Sequence, residues 1–247
     1  PTANFTAAYN ALASQLAANG RKGVVANLPY VTALPYFTAV PFNAVPLNAA
    51  TATQLNAGYA QYNGGLAVAQ NAGLISAAER TRRTITFAAG QNAVVMVDSY
   101  LTNLSALGLP SFRQATSADL LVLPSRSIIG TAVGGNPAQI NGVSVPLEDK
   151  WVLSSDEVAE VKAATDAYNL VIQAAATTNN LAFVDAKSVM DQLSTTGLNF
   201  DTYNMTSTYV TGGSFSLDGV HPSARGYALI TNLFIDAINA KYGSTLK

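Results

Sequence analysis

The chain has 247 residues, of which 49% are hydrophobic and only 11% are charged, and its net charge is −1. This length allows one large α/β domain or two small ones, with a sizeable core. The near-neutral charge argues against a nucleic-acid partner and against binding to an anionic membrane surface. The sequence contains no cysteine and one histidine. Disulfides and a cysteine nucleophile are therefore excluded, and too few ligands remain for a usual zinc site.

Other binding motifs are missing from the sequence as well. No stretch approaches about 20 consecutive apolar residues, so we predict no membrane span. Neither GxxxxGKS/T nor GxGxxG occurs, so we predict neither a nucleotide cofactor nor, with a single histidine, a metal cofactor. The remaining possibilities are acid–base or nucleophilic chemistry on a side-chain oxygen, or a protein without catalytic chemistry.

The N-terminal region predicts a helix followed by a strand. The segment NFTAAYNALASQLAANG has an apolar helical stripe and a glycine stop at Gly20; the stripe consists of Phe5, Tyr9, Leu12 and Leu16. The apolar run KGVVANLP, ended by Pro29, is typical of a buried parallel strand. Helix and then strand form the second part of a β-α-β unit. We therefore expect Pro1 to mark a processed or truncated end, with the N-terminal part of the fold outside this sequence.

The middle of the chain gives weaker patterns. Its first part, PYVTALPYFTAVPFNAVPLN, has a proline every five or six residues, which argues against a long helix or an interior strand. Residues 52–84 predict helical pieces and residues 92–101 predict a strand. Asn141-Gly142 has the signature of a hairpin turn. We interpret residues 30–150 as a large insertion or lid.

Regular patterns return near Ser154, where a capping box with Glu157 begins a long amphipathic helix. A second buried strand is predicted at 181–186 (LAFVDA), then a short helix around 187–194, and a last amphipathic helix in SARGYALITNLFIDAINAKYG. Helices that alternate with short apolar strands predict an α/β layered fold with a parallel sheet. We expect residues 1–247 to form a single domain of this kind.

The only histidine, His221, follows Asp218 by three residues in SFSLDGVHPSARGYALI. On a tight loop this spacing can bring the carboxylate to Nδ1 of the ring while Nε2 points away from the loop. Such a pair suits general-base catalysis, because the carboxylate fixes the tautomer of the imidazole that deprotonates a hydroxyl nucleophile. The alternative is structural: a surface histidine before Pro222, with Asp218 forming an Asx-turn.

The stretch LDGVHPSARGYALI closely resembles the last conserved block of the SGNH, or GDSL-like, lipases and esterases, in which D-x-x-H-P precedes the C-terminal helix. ANGRKGVVANLPYVTALPYF resembles the helix–strand segment that follows the third block in a bacterial, envelope-associated branch. ATSADLLVLPSRSIIGT and VPLEDKWVLSSDEVAEV resemble the insertion of that branch. The resemblance implies a flavodoxin-like three-layer α/β/α fold, incomplete at its N-terminus, with Asp218 and His221 as its catalytic residues.

The rest of the family's site has no counterpart here. The resemblance implies a serine in G-D-S and oxyanion donors from a glycine and from G-x-N-D, yet neither motif occurs in these 247 residues. Ser99, in VVMVDSYL, imitates G-D-S-L but has Val97 in place of the glycine, and we interpret it as an ordinary strand end. Asn27 lacks the preceding glycine of an oxyanion asparagine, and Asp185 is expected to cap the following helix.

Aromatic residues of the proline-rich segment could line a substrate groove, but we favour packing beneath a long loop for them and for Trp151; they are Tyr30, Tyr36, Phe37 and Phe42. We predict a serine ester hydrolase for lipid, short-acyl or sugar esters, whose serine comes from an N-terminal segment. The alternative is a non-catalytic glycan- or lipid-binding surface module. We expect a secreted or cell-envelope protein, lipoprotein-anchored through its N-terminus.

Overall fold

A computed structural model of the chain describes residues 2–247 and shows the mixed α/β class that the sequence predicts. The expectation about Pro1 lies outside the described residues. The α-helices, in chain order, are α1 (Thr2–Ala17), α2 (Pro35–Thr38), α3 (Ala49–Asn71), α4 (Ala77–Arg83), α5 (Ser155–Thr178), α6 (Ala186–Ser194) and α7 (Ala224–Tyr242). The strands are β1 (Val24–Ala26), β2 (Val45–Leu47), β3 (Gly90–Asn92), β4 (Val95–Val97), β5 (Phe112–Gln114), β6 (Leu120–Leu121), β7 (Ala132–Val133), β8 (Asn136–Ile140), β9 (Val152–Leu153), β10 (Ala182–Val184), β11 (Leu198–Phe200) and β12 (Tyr203–Met205).

The chain divides into two compact units. The terminal unit contains the described residues up to Ala39 together with Ala159–Lys247, and the middle unit is Val40–Val158. The sequence-based division, one domain with an insertion at 30–150, stays a prediction.

The terminal unit contains the parallel pair predicted from the two apolar runs. Strand β1 pairs with β10 in parallel, from Val24 opposite Ala182 to Ala26 opposite Val184. Helix α7 packs against both strands, and the hydroxyl of Tyr242 at its end donates to the carbonyl of Gly23 over 2.7 Å. Strand β10 is buried at both ends, but β1 is only half-buried. Among residues 2–247, β1 has a single strand neighbour, which leaves its other edge without a strand.

Helix α1 forms where its apolar stripe predicts, but only half of the stripe is packed. Phe5 stacks on Tyr9 and on Tyr168 of α5, with ring centroids 5.3 and 4.2 Å apart. Leu12 and Leu16 remain 55% and 65% exposed. The helix ends before Gly20, whose positive φ of 73° suits the predicted glycine stop.

The middle unit is built from antiparallel pairs: β2 with β3, β4 with β5, β6 with β9, and β7 with β8. The predicted helical pieces are α3 and α4, and the strand expected in 92–101 is β4. The hairpin turn predicted at Asn141-Gly142 is wrong. The two-residue hairpin loop is Gly134-Gly135, where both residues have positive φ, as a type I′ turn requires. Asn141 has no positive φ, so its turn is of another type.

A buried ion network stabilises the middle unit. The guanidinium of Arg113 is 1% exposed and donates to Asp98 over 2.5 Å and to both carboxylate oxygens of Asp119 over 2.6 and 2.7 Å. Burial raises the pKa of Asp119, but hydrogen bonds from Arg113 and from the Thr116 amide outweigh it, so the pKa lies below its usual value. Both carboxylates are enclosed, and Arg113 is the arginine partner of Asp119, whereas Asp98 pairs with Arg82 as well.

The start of α5 confirms the predicted capping box. The hydroxyl of Ser154 accepts from the amide of Glu157, and the carboxylate of Glu157 accepts from the amide of Ser154 over 2.7 Å. Two helix-terminal amides are thereby satisfied reciprocally. The amide of Ser155 donates to Asp119 over 2.7 Å, which joins the helix start to the buried network.

Candidate active site

The candidate site lies on a tight loop, residues 214–223, that precedes α7. The amide of Ser216 donates to the carbonyl of His221 over 2.8 Å, and the amide of Ser223 donates to the carbonyl of Ser214 over 2.9 Å. Phe215 and Pro222 form an antiparallel bridge between these contacts. Backbone hydrogen bonds therefore join the two sides of the loop, and Asp218 and His221 lie at its closed end.

Two glycines allow this loop to pack closely against its neighbours. Gly219 has φ of 72°, and a Cβ there would lie 2.7 Å from the amide nitrogen of Tyr36, which donates to the carbonyl of Gly219 over 3.0 Å. A Cβ on Gly226 would lie 2.2 Å from the carbonyl oxygen of Ser214. A side chain at either position would push the loop away from α2 or from α7, so these contacts hold the loop in place.

Ser223 joins the loop to α7 as the helix N-cap. Its Oγ accepts from the amide of Gly226 over 3.1 Å and donates to the carbonyl of Gly213 over 2.5 Å. The first turn of α7 and the base of the loop are thus connected through one hydroxyl. This anchors the backbone that carries His221 to a 19-residue helix.

The carboxylate of Asp218 uses its two oxygens for different purposes. Oδ1 accepts from the hydroxyl of Ser216 over 2.6 Å and from the amides of Val220 and His221, each over 2.9 Å. Oδ2 lies 2.6 Å from Nδ1 of His221. The Asx-turn and the carboxylate–imidazole pair, which the sequence presents as alternatives, therefore coexist in one side chain.

Asp218 is held in its ionised form. The hydroxyl of Ser216, the ring of His221 and the two loop amides all donate to it, and together they keep the pKa of the Asp218 carboxyl well below its usual range. Because an ionised carboxylate only accepts, Nδ1 of His221 carries the proton in the pair. The neutral ring then has its lone pair on Nε2.

The ring of His221 is open on its other side. Its side chain is 71% exposed, and within residues 2–247 Nε2 makes no hydrogen bond. The imidazole is thus oriented at Nδ1 and free at Nε2, the atom that a general base uses. An exposed ring of this kind can accept a hydrogen bond from a hydroxyl that is brought to Nε2.

Ser216 is the residue of this site that sequence reasoning missed. The one available signal is its position two residues before Asp218 in a loop, a spacing at which a hydroxyl can reach a turn-forming carboxylate. We expect Ser216→Ala to raise the pKa of Asp218, because it removes the strongest of the hydrogen bonds that stabilise the charged form. A ¹³C NMR titration of the carboxyl group measures this directly. An unchanged midpoint would contradict the contact, and Ser194→Ala, on α6, is the control.

The other candidate residues are engaged elsewhere. Ser99 lies on an exposed turn after β4, and the carboxylate of the preceding Asp98 binds Arg113 and Arg82. Asn27 donates to Asp185 over 2.6 Å and accepts from the amide of Lys187. The carboxylate of Asp185 accepts from the amide of Ser188 at the start of α6, which confirms its predicted role as a helix cap.

The aromatic candidates mostly pack or bond within their own units. The hydroxyl of Tyr30 donates to Asp166 over 2.6 Å, and Tyr36 contacts Phe37 edge to face with centroids 5.0 Å apart. Phe42 and Trp151 pack against the hydrophobic core of the middle unit. The packing interpretation of these last two side chains is therefore confirmed.

Within residues 2–247, no helix combines the length and apolarity needed to cross a bilayer. The same residues hold no group of three or more His, Cys, Asp or Glu side chains arranged to bind a metal ion.

A comparison with models of protein families matches most of this chain. The family model of the GDSL-like lipases/acylhydrolases matches residues 80–234, which is more than half of the chain and includes Asp218 and His221. Neither curated proteins nor solved structures give a significant match. Because the family model covers more than half of the chain, the chain belongs to the family of GDSL-like lipases/acylhydrolases.

Proposed function

We propose that this chain carries the base-and-carboxylate half of a serine ester hydrolase. His221 is the general base, and Asp218 is the residue that positions its ring. The observation that carries the proposal is the 2.6 Å contact between Oδ2 of Asp218 and Nδ1 of His221, with Nε2 unbonded, in a chain of an acylhydrolase family. The depressed pKa of Asp218 supports it, because an ionised carboxylate stabilises the imidazolium that forms during proton transfer.

The reaction follows from the two nitrogen atoms of the ring. A serine hydroxyl attacks the ester carbonyl as its proton moves to Nε2 of His221, and the imidazolium then gives this proton to the departing alcohol. Water attacks the resulting acyl-serine, again losing its proton to Nε2, and the carboxylic acid leaves as the serine is restored. Asp218 keeps its negative charge throughout.

The nucleophile, in this proposal, belongs to a segment N-terminal to Pro1. Two observations support this. The 247 residues contain neither G-D-S nor G-x-N-D, and within the described residues no hydroxyl bonds Nε2 of His221. The same segment would supply the oxyanion donors, since the proposal needs preorganised N–H groups at the developing negative charge. Residues 1–247 alone are therefore inactive in this account.

The substrates in this proposal are carboxylic esters of lipids, short acyl groups or sugars. We further propose that the protein is secreted or resides in the cell envelope, anchored as a lipoprotein through its N-terminal segment. The support is compositional: only 11% of the residues are charged and the polar surface is carried by uncharged side chains, a balance common among exported proteins.

Labelling with a fluorophosphonate, which reacts with activated serines, tests the proposal. We expect the full-length protein to be labelled at one serine N-terminal to Pro1 and residues 1–247 expressed alone to remain unlabelled. Folding of the shorter chain is checked by circular dichroism. Labelling at Ser99 would contradict the assignment of the nucleophile. A full-length protein that is never labelled would favour the alternative, a non-catalytic glycan- or lipid-binding module.

A further inference from the structure

An apolar cavity that is open to the surface lies beneath the histidine loop in the terminal unit. It has a volume of about 220 Å³ and is lined by residues of α6, α7 and the loop, together with Pro29, Leu34 and Val184. Its buried floor is formed by Met190, Leu193 and Leu229, which are at most 7% exposed. Its mouth includes Val220 and Ile230, which are 41% and 40% exposed. The cavity therefore opens to the surface through two aliphatic side chains.

The cavity is next to the proposed base. Val220 and Pro222, the residues immediately before and after His221, both line it. A group that occupies the cavity therefore lies beside the residues on each side of His221. A substrate whose ester bond is near His221 therefore has an apolar cavity close to that bond.

The side chains that line the cavity favour an aliphatic ligand. Ser214 is the one lining residue with a polar side chain, and its Oγ is buried without a hydrogen-bond partner in the described chain. A sugar carries several hydroxyl groups, and one serine cannot satisfy them. Each hydroxyl left unpaired in an apolar cavity costs free energy, whereas each methylene buried there contributes favourably.

We propose that this cavity binds the hydrocarbon chain of the ester's acyl group. The proposal rests on the proposed function and narrows its substrate class to esters of medium-chain aliphatic acids. An apolar cavity of about 150 Å³ holds benzene, so 220 Å³ suits a chain of roughly six to nine carbon atoms. The acyl group is favoured over the alcohol because it stays beside His221 through both half-reactions, while the alcohol leaves after the first.

Binding is measured without any turnover by methyl NMR of the full-length protein labelled at methionine, with n-hexanol as the probe. Met190 is on the cavity floor, whereas Met96 lies in the core of the middle unit and serves as an internal control. We expect n-hexanol to shift the Met190 signal, assigned with Met190→Leu, and to leave Met96 unchanged. Glucose at the same concentration should shift neither signal.

Chain-length selectivity is measured with p-nitrophenyl esters of acetate, butyrate, hexanoate and dodecanoate. Each buried methylene is expected to raise kcat/KM about fourfold, so hexanoate should exceed acetate on the order of 100-fold, with no further gain at dodecanoate. Val189→Phe projects a ring into the cavity from α6 and should lower the hexanoate-to-acetate ratio at least tenfold. Gln192→Phe, on the exposed face of the same helix, is the matched control. Ile230→Phe at the mouth is the second variant if Val189→Phe folds poorly.

The two readouts separate this proposal from the proposed function. A shift of the Met190 signal by n-hexanol, together with the expected preference for hexanoate over acetate, supports both the proposed function and the acyl assignment. A Met190 shift without turnover of any ester overturns the proposed function, and with it the acyl assignment, while the cavity remains an aliphatic site. Turnover without chain-length dependence, or with dependence only in a series of alkyl acetates, overturns the acyl assignment alone. An unmoved Met190 signal shows that another segment or water fills the cavity and overturns the proposal.

Discussion

Replacement of His221 with alanine is expected to lower kcat of the full-length protein toward a p-nitrophenyl ester on the order of 10⁶-fold. The imidazole takes the proton of the serine and returns it to the alcohol, so neither half-reaction keeps its acid–base catalyst when the ring is lost. Asp218→Asn is expected to cost about 10⁴-fold, because the amide can donate to Nδ1 and thereby favours the wrong tautomer. Steady-state kinetics on both variants measures these effects.

The control for these variants is Leu217→Ala. Leu217 precedes Asp218 on the same loop and is 71% exposed, and its backbone carbonyl accepts a hydrogen bond from the hydroxyl of Tyr209. It should keep kcat within about threefold of the unsubstituted protein. A His221→Ala protein that folds normally and keeps kcat within tenfold would remove His221 from the mechanism.

Loss of the buried arginine is expected to have the largest effect on stability. Arg113→Met removes the enclosed cation that, within residues 2–247, contacts both Asp98 and Asp119, each 0% exposed at its side chain. Arg82 still reaches Asp98 over 2.9 Å, but Asp119 loses its arginine altogether. We expect the free energy of unfolding to fall by about 3–5 kcal/mol, as for other buried ion pairs that lose one partner. Urea denaturation, followed by circular dichroism, measures the change.

Lys150→Met provides the comparison for this measurement. Lys150 pairs with Glu148 over 2.7 Å, but both side chains are more than half exposed, so removal should cost less than about 1 kcal/mol. Similar effects for the two variants would mean that Arg113 is far less enclosed than the structure shows. Because the chain has two compact units, it can unfold in two transitions. The decrease in the free energy of unfolding is expected in the transition of the middle unit, which contains Arg113.

Local patterns predicted those features that depend on local chemistry. The capping box at Ser154 and the cap at Asp185 form as predicted, because each requires only a side chain and amides three residues away. The contact between Asp218 and His221 was anticipated for the same reason, since both residues lie on one turn. The parallel pair of β1 and β10 followed from the order of helices and apolar runs.

Features that depend on distant partners were not predicted. Nothing near Arg113 in sequence indicates that Asp98 contacts it, because that contact forms only when β4 and β5 pair. The dipeptide preference predicts a hairpin at Asn141-Gly142, yet the hairpin of β7 and β8 turns at Gly134-Gly135, where both residues lack a Cβ. The apolar cavity, likewise, is made by α6, α7 and the loop together.

The central claim is that Nε2 of His221 accepts a proton from a serine outside residues 1–247. The most direct measurement is the structure of the full-length protein with its fluorophosphonate-reactive serine in the unmodified state. The account predicts that the Oγ of this serine lies about 2.6–3.2 Å from Nε2 while Oδ2 of Asp218 still contacts Nδ1. A reactive serine far from this ring, or a ring that remains bonded only to Asp218 and water, would contradict it.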